Sequence, residues 1–136
     1  MTTVLEGACL CGSVRYRVSG DPQRFLHCHC SRCRRASGTG HASNVIVEGE
    51  VEWTAGVDLL KRYKVPDAER FANVFCSECG APMPREIKAM NRVVVPAGSL
   101  LSDPGIAPVA RIFWDSRTDW SCSEETLPVF PEYPTE

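Results

Sequence analysis

The chain has 136 residues, enough for one domain and too few for two independent hydrophobic cores. Hydrophobic residues make up 43% and charged residues 24% of the sequence, a globular composition that excludes a largely disordered chain. The formal net charge of -2 does not favour binding to nucleic acids or to anionic membranes.

The first predicted strand follows the N-terminal pair of cysteines. Val14, Tyr16 and Val18 occupy alternate positions between arginines, which is the pattern of a strand with one buried face. Gly20–Pro22 combines three turn-forming residues. We therefore expect the strand to end there.

Further strands are predicted where β-branched and aromatic residues cluster. These segments are Asn44–Val47, Leu60–Val65, Asn73–Phe75, Arg92–Val95 and Val109–Trp114. Ten glycines and ten prolines argue against long helices, so only Ser31–Ala36 and Ser99–Ser102 are expected to form helical turns. The sequence therefore predicts a mainly antiparallel β domain with short helical turns.

The chain lacks the sequence features of membrane or secreted proteins. No segment approaches the roughly 20 apolar residues of a membrane-spanning helix, and the first residues do not resemble a signal peptide. We therefore expect a cytoplasmic protein. Because thiols are kept reduced in the cytosol, the eight cysteines indicate metal binding or thiol chemistry.

Four cysteines form two close pairs that are far apart in the chain. Cys9 and Cys11 form a CxC pair, Cys76 and Cys79 form a CxxC pair, and a glycine follows each pair. Glycine permits a tight turn that points amide N–H groups at thiolates, and zinc favours a closed shell of four sulfur ligands in structural sites. We expect a structural zinc site that ties the N-terminal hairpin to the middle of the sheet; disulfides and unrelated buried thiols are the alternatives.

Cys28, Cys30 and Cys33 form a second group within six residues. Three sulfur ligands leave a fourth position open at zinc, which is typical of catalytic sites. A zinc ion that is bound by three thiolates polarises a carbonyl group poorly, but it can still bind a further sulfur and keep it deprotonated. We therefore expect activation of a substrate thiol. The alternative is a second inert zinc site, with its shell completed by one of the remaining cysteine or histidine side chains: Cys122, His27, His29 or His41.

The cysteines stand in segments that resemble one known family. These segments are Gly7–Tyr16, Cys28–Gly38, Phe75–Gly80 and Ala97–Leu100. They are similar to the glutathione-dependent formaldehyde-activating enzymes, a family that includes centromere protein V, and the resemblance extends over about Leu5–Tyr133. It implies one domain over residues 1–136, a compact β-tent fold and two zinc ions per chain.

The resemblance also implies roles for the cysteines. By position, Cys28, Cys30 and Cys33 match the family's catalytic zinc ligands, and the structural zinc ligands are matched by Cys9, Cys11, Cys76 and Cys79. The implied activity is that of a carbon–sulfur lyase that adds a glutathione-like thiol to an aldehyde such as formaldehyde, or releases it. The expected partners are a small thiol and an aldehyde, with no nucleic acid and no membrane. The alternative function is a non-catalytic zinc module that binds a thiol, a protein or chromatin.

Arginines flank the predicted catalytic cysteines. Arg32, Arg34 and Arg35 are candidates for binding the two carboxylates of glutathione, and a solvent-exposed basic turn is the alternative. Two positions depart from the family pattern: Arg111 stands where many relatives carry histidine, and Cys122 stands where an apolar or aromatic residue is common. We expect Cys122 to be a buried, inert thiol.

Overall fold

The computed structural model describes residues 3–121 and 127–134. In this part of the chain it has eight strands and one α-helix, which are β1 (Thr3–Ala8), β2 (Arg15–Cys28), α1 (Ser31–Ser37), β3 (Ala42–Ala55), β4 (Leu60–Lys64), β5 (Ala72–Cys76), β6 (Arg85–Ile87), β7 (Arg92–Pro96) and β8 (Ala110–Ile112). Short 3-10 helices occur at Val57–Leu59, Lys88–Met90, Ala97–Ser99 and Trp114–Ser116. The prediction of a mainly β fold is confirmed.

The strands form two sheets. The larger sheet has the order β1-β2-β3-β7-β6, with β8 added alongside β2, and β4 pairs with β5 in the smaller sheet. All pairings are antiparallel except the short one between β2 and β8, which is parallel. The parallel pairing places the chain around Ile112 next to Cys28, at the end of β2.

The prediction that the first strand ends at Gly20–Pro22 is wrong. β2 continues through this segment to Cys28 and pairs with β3 along its whole length. Gly20 lies opposite Gly49, and a Cβ on either residue would overlap with the backbone of the other strand. A register shift between Pro22 and Arg24 then accommodates the proline, so the strand bends without ending.

The sequence pattern missed two strands. β1 contains Gly7 at an inward position, where the ring of Tyr16 packs against the glycine and leaves no room for a Cβ. β6 has only three residues and pairs with the start of β7. Gly7 has a low strand propensity and β6 is very short, so neither segment shows a clear alternating pattern.

The hydrophobic core lies on the inner face of the larger sheet. Val14, Tyr16 and Val18 are all buried there, as their alternation predicts. Valines of β3 and β7 belong to the same cluster, and so do Cys76 and Met83 from β5 and the segment after it. Full burial of a side chain of this size contributes about 1.5–3 kcal/mol. The core therefore joins both sheets.

None of the helices in residues 3–121 and 127–134 is long and apolar enough to cross a membrane.

Candidate metal centres and the adjoining cleft

The two predicted cysteine groups are each assembled in space. The Sγ atoms of the four-cysteine cluster all lie within 4.8 Å of one another; its members are Cys9, Cys11, Cys76 and Cys79. The Sγ atom of Cys11 is 3.6 Å from that of Cys9 and 4.0 Å from that of Cys76. Around a tetrahedral zinc ion with 2.3 Å bonds, sulfur atoms stand about 3.8 Å apart. The cluster could therefore hold a metal ion of this size.

A tight turn with a left-handed glycine follows each cysteine pair of this cluster. Gly12 and Gly80 have φ angles of 80° and 75°, and their amides donate to the carbonyl oxygens of Cys9 and Cys76. After the first of these turns, the amide of Val14 donates to Cys9 Sγ over 3.2 Å. The left-handed glycines thus let each chain segment turn back tightly on the cysteine that begins its pair.

The four-cysteine cluster connects different parts of the fold from those expected. Cys9 and Cys11 lie in the turn between β1 and β2, whereas Cys76 ends β5 of the smaller sheet. The cluster therefore ties the N-terminal hairpin to the small sheet and not to the middle of the large one. The correction follows from topology, because β4 and β5 form a two-stranded sheet of their own and are not strands of the larger sheet.

The three-cysteine cluster is built where β2 passes into α1. Cys28 ends the strand, Cys30 caps the helix by accepting from the amide of Cys33 over 3.2 Å, and all three Sγ atoms lie within 4.8 Å of one another. The helix ends at Gly38, which takes a left-handed conformation with φ 75°. Helix capping and the end of the strand thus bring these donors together within a single turn.

No additional ligand from residues 3–121 or 127–134 joins the three-cysteine cluster. Its metal-ligating side chains are Cys28, Cys30 and Cys33, with no histidine, aspartate or glutamate within the same range. The expectations for Cys122 concern a residue outside those ranges. The second cluster could hold a metal ion through three protein ligands.

Protons are shared unequally between the thiols of each cluster. A hydrogen bond from Cys33 lowers the pKa of Cys28 to about 6, and the same bond, together with burial, raises the pKa of Cys33. In the four-cysteine cluster, backbone N–H groups lower the pKa of Cys79 to about 6, whereas burial raises that of Cys76 to about 11. A divalent cation would compete with the remaining thiol protons in both clusters.

A cleft of about 1010 Å³ opens beside the three-cysteine cluster. All three of its cysteines line the cleft, and so does Cys9 of the other cluster. Ala97–Leu100 forms another wall; its Ser99 hydroxyl lies 2.5 Å from the hydroxyl of buried Tyr16. This volume is ample for a small organic substrate next to the sulfur donors.

Residues 4–116 match the family described as glutathione-dependent formaldehyde-activating enzyme. The chain belongs to this family. A Halomonas elongata protein named "Putative glutathione-dependent formaldehyde-activating enzyme" is 30% identical over 145 residues, which cover 98% of this chain and 90% of that protein. The crystal structure of a Rhodobacter sphaeroides protein aligns with 78% of this chain and 98% of that chain, at 20% identity and a TM-score of 0.49.

The three arginines that flank the cluster lie in different environments. Arg32 is exposed and lines the cleft. Arg34 is half-buried and Arg35 is exposed with its Nε donating to the Ser31 carbonyl, and neither contributes to the cleft wall. A carboxylate-binding role for the three arginines stays a prediction.

Arg111, one of the two positions at which the resemblance indicated a departure from the family pattern, borders a cluster of rings. Arg111 pairs with His27 across β2 and β8, and its guanidinium carbon lies 5.5 Å from the ring centre of Trp114. Buried His29 packs edge-on against Trp114, and its ring centre lies 5.1 Å from that of the tilted His41 ring. Burial lowers the pKa of His29, so its ring is neutral at neutral pH. In this chain Arg111 packs on the aromatic cluster that lies against the end of β2.

Pattern-based reading of the sequence missed Arg85 as a residue of the cleft. Arg85 begins β6, follows the buried Met83, and lines the cleft together with Phe71. It stands in a segment that lacks a recognisable motif, and only the pairing of β6 with β7 brings it to this wall.

Proposed function

We propose that the protein forms and cleaves a carbon–sulfur bond between a glutathione-like thiol and an aldehyde such as formaldehyde. The observation that carries this proposal is the three-cysteine cluster, which presents its sulfur donors to a cleft of about 1010 Å³. Family membership supports the same reaction, since the family is described as glutathione-dependent and formaldehyde-activating.

The cysteine donors fit zinc at both clusters. Cys28, Cys30 and Cys33 would hold one ion, and the four-cysteine cluster would hold a second, structural ion. A zinc ion at the three-cysteine cluster would stabilise a substrate sulfur as thiolate at neutral pH. The protein's own residues fix this position, because Cys28 and Cys33 are buried and Cys30 is held by its helix-capping hydrogen bond.

The overall reaction balances without an oxidant or a reductant. The substrate sulfur forms a bond to the aldehyde carbon while the carbonyl π bond breaks, and the thiol hydrogen ends on the new hydroxyl oxygen. The reverse direction releases the thiol and the aldehyde. The cleft walls would hold the two reactants near each other, which lowers the entropic cost of their encounter.

The decisive experiment follows the exchange of formaldehyde and glutathione with their adduct by NMR, using zinc-loaded protein and a protein-free background. We expect faster exchange with the wild-type chain and background exchange with Cys30→Ser. The variant should keep one zinc ion and its fold, because serine also caps helices well. Exchange that stays fast in Cys30→Ser would contradict the proposed site, and saturable thiol binding without any turnover would favour a binding module.

A further inference from the structure

The cleft differs in charge from the rest of the protein. The chain contains 17 acidic residues, but none of the described residues that line the cleft is an aspartate or a glutamate. Two arginines, Arg32 and Arg85, contribute formal positive charge to its walls. Apart from the cysteine sulfurs, an anionic substrate group would therefore meet cations and no carboxylates on these walls.

Arg85 is held in place without being neutralised. Its Nη1 donates to the Arg70 carbonyl over 2.9 Å, and its guanidinium carbon lies 5.3 Å from the ring centre of Phe71. Both partners are uncharged groups. Among the described residues, the ion pairs involve Arg17 and Arg70 but not Arg85.

The position of Arg85 relates it to the predicted catalytic cysteines. It is half-buried and lines the same cleft as Cys33. Arg32, by contrast, is exposed on the short helix α1. A guanidinium that is already oriented loses less conformational entropy when it binds a ligand than a mobile one does.

We propose that Arg85 binds a carboxylate of the substrate and that the cleft thereby selects thiols that carry a carboxylate. The inference rests on the proposed function for placing the substrate sulfur at the three-cysteine cluster. A guanidinium has five N–H donors in a fork that matches the two oxygens of a carboxylate, and the Arg70 carbonyl takes one of them. Arg85 is then a specificity-determining residue that acts on a part of the substrate other than its sulfur.

Matched pairs of ligands test this role without any turnover. Mercaptopropionate and mercaptopropanol, and likewise mercaptobutyrate and mercaptobutanol, differ only in having a carboxylate or a hydroxyl. Their binding to zinc-loaded protein is measured by calorimetry in the absence of aldehyde. In at least one pair, we expect the wild type to bind the thiol with the carboxylate about 10-fold or more tightly than the thiol with the hydroxyl. A charge-assisted bidentate hydrogen bond gives a difference of this size.

Substitutions test whether Arg85 causes the preference for thiols that carry a carboxylate. Arg85→Met should abolish it while leaving the affinity for the alcohols unchanged, and Arg85→Lys should keep part of it, because lysine retains the charge but not the fork. Arg62→Met is the matched control: Arg62 is exposed on β4, interacts electrostatically with Arg85, and does not line the cleft. This control should keep the full preference.

The outcomes separate this inference from the proposed function. Equal binding of carboxylate and alcohol by the wild type, or a preference that survives in Arg85→Met, would overturn the role of Arg85 and leave the proposed function standing. If no thiol of either kind binds the wild type, both fail. Zinc content and thermal unfolding establish that each variant is folded, and Arg85→Lys serves as the folded variant if Arg85→Met is not.

Discussion

The two cysteine clusters use the same donor atom but are assembled over different distances along the chain. In the four-cysteine cluster, Cys11 and Cys76 are 65 residues apart and belong to different parts of the fold. In the three-cysteine cluster, Cys28 and Cys33 belong to one strand end and the helix that follows it. A metal in the first cluster would restrain a long loop, whereas a metal in the second would restrain almost nothing that the backbone does not already hold.

Access to the two clusters also differs. All three cysteines of the smaller cluster line the cleft, whereas Cys9 does so alone among the four of the larger cluster. Cys76 is fully buried within the hydrophobic core. The comparison indicates that cysteine ligands stabilise the fold where their metal site closes a long loop in the core. The same ligands suit chemistry where their metal site leaves a coordination position open to a cleft.

The largest expected effect on stability is that of Cys76→Ser. The variant should lose the metal of the four-cysteine cluster and at least about 5 kcal/mol of folding free energy, because metal binding in small domains is coupled to folding. Chemical denaturation and metal analysis measure both losses. If the variant is stable and retains two metal ions, the structural role of the four-cysteine cluster is contradicted.

Cys30→Ser should give the opposite result. We expect its free energy of unfolding to change by no more than about 1 kcal/mol, because serine can accept the capping hydrogen bond from the Cys33 amide in place of the thiol. Turnover should nevertheless be lost. Parallel denaturation curves for Cys30→Ser and Cys76→Ser provide the test. Equal destabilisation of the two variants would contradict the expected difference in how much each cluster stabilises the fold.

Chelation should remove the two metal ions in sequence. The three-cysteine cluster has fewer protein ligands and opens to the cleft, so we expect it to release its metal first. Activity should then fall before circular dichroism changes. Simultaneous loss of activity and structure over one chelator range would contradict this order.

Gly80→Ala should lower the stability slightly. A Cβ at Gly80 would meet no atom within 4 Å, so the cost is confined to the left-handed backbone at φ 75°. That cost is about 1–2 kcal/mol. Thermal unfolding measures it, and Ala81→Gly in the same turn is the control for a change that requires no left-handed alanine. An unchanged melting temperature would show that the turn relaxes freely.

Local patterns in the sequence predicted the parts of the fold that depend on neighbouring residues. The alternation of Val14, Tyr16 and Val18 identified the buried face of β2, and α1 covers Ser31–Ala36, one of the two segments expected to form a helical turn. Gly20–Pro22 misled the same reasoning, because turn-forming residues usually end a strand. Here the cross-strand contact with Gly49 keeps the strand paired, and that contact cannot be seen in the sequence around Gly20.

The sequence alone determined the grouping of the cysteines, because they occur as closely spaced pairs or as a closely spaced triplet, and zinc chemistry limits how such groups combine. Only the tertiary structure decided which other residues line the cleft beside the three-cysteine cluster. Arg85 reaches the cleft because β6 pairs with β7 in the large sheet, and the cleft is lined by residues of both sheets. Such juxtapositions depend on strand pairing between distant segments, which local spacing does not encode.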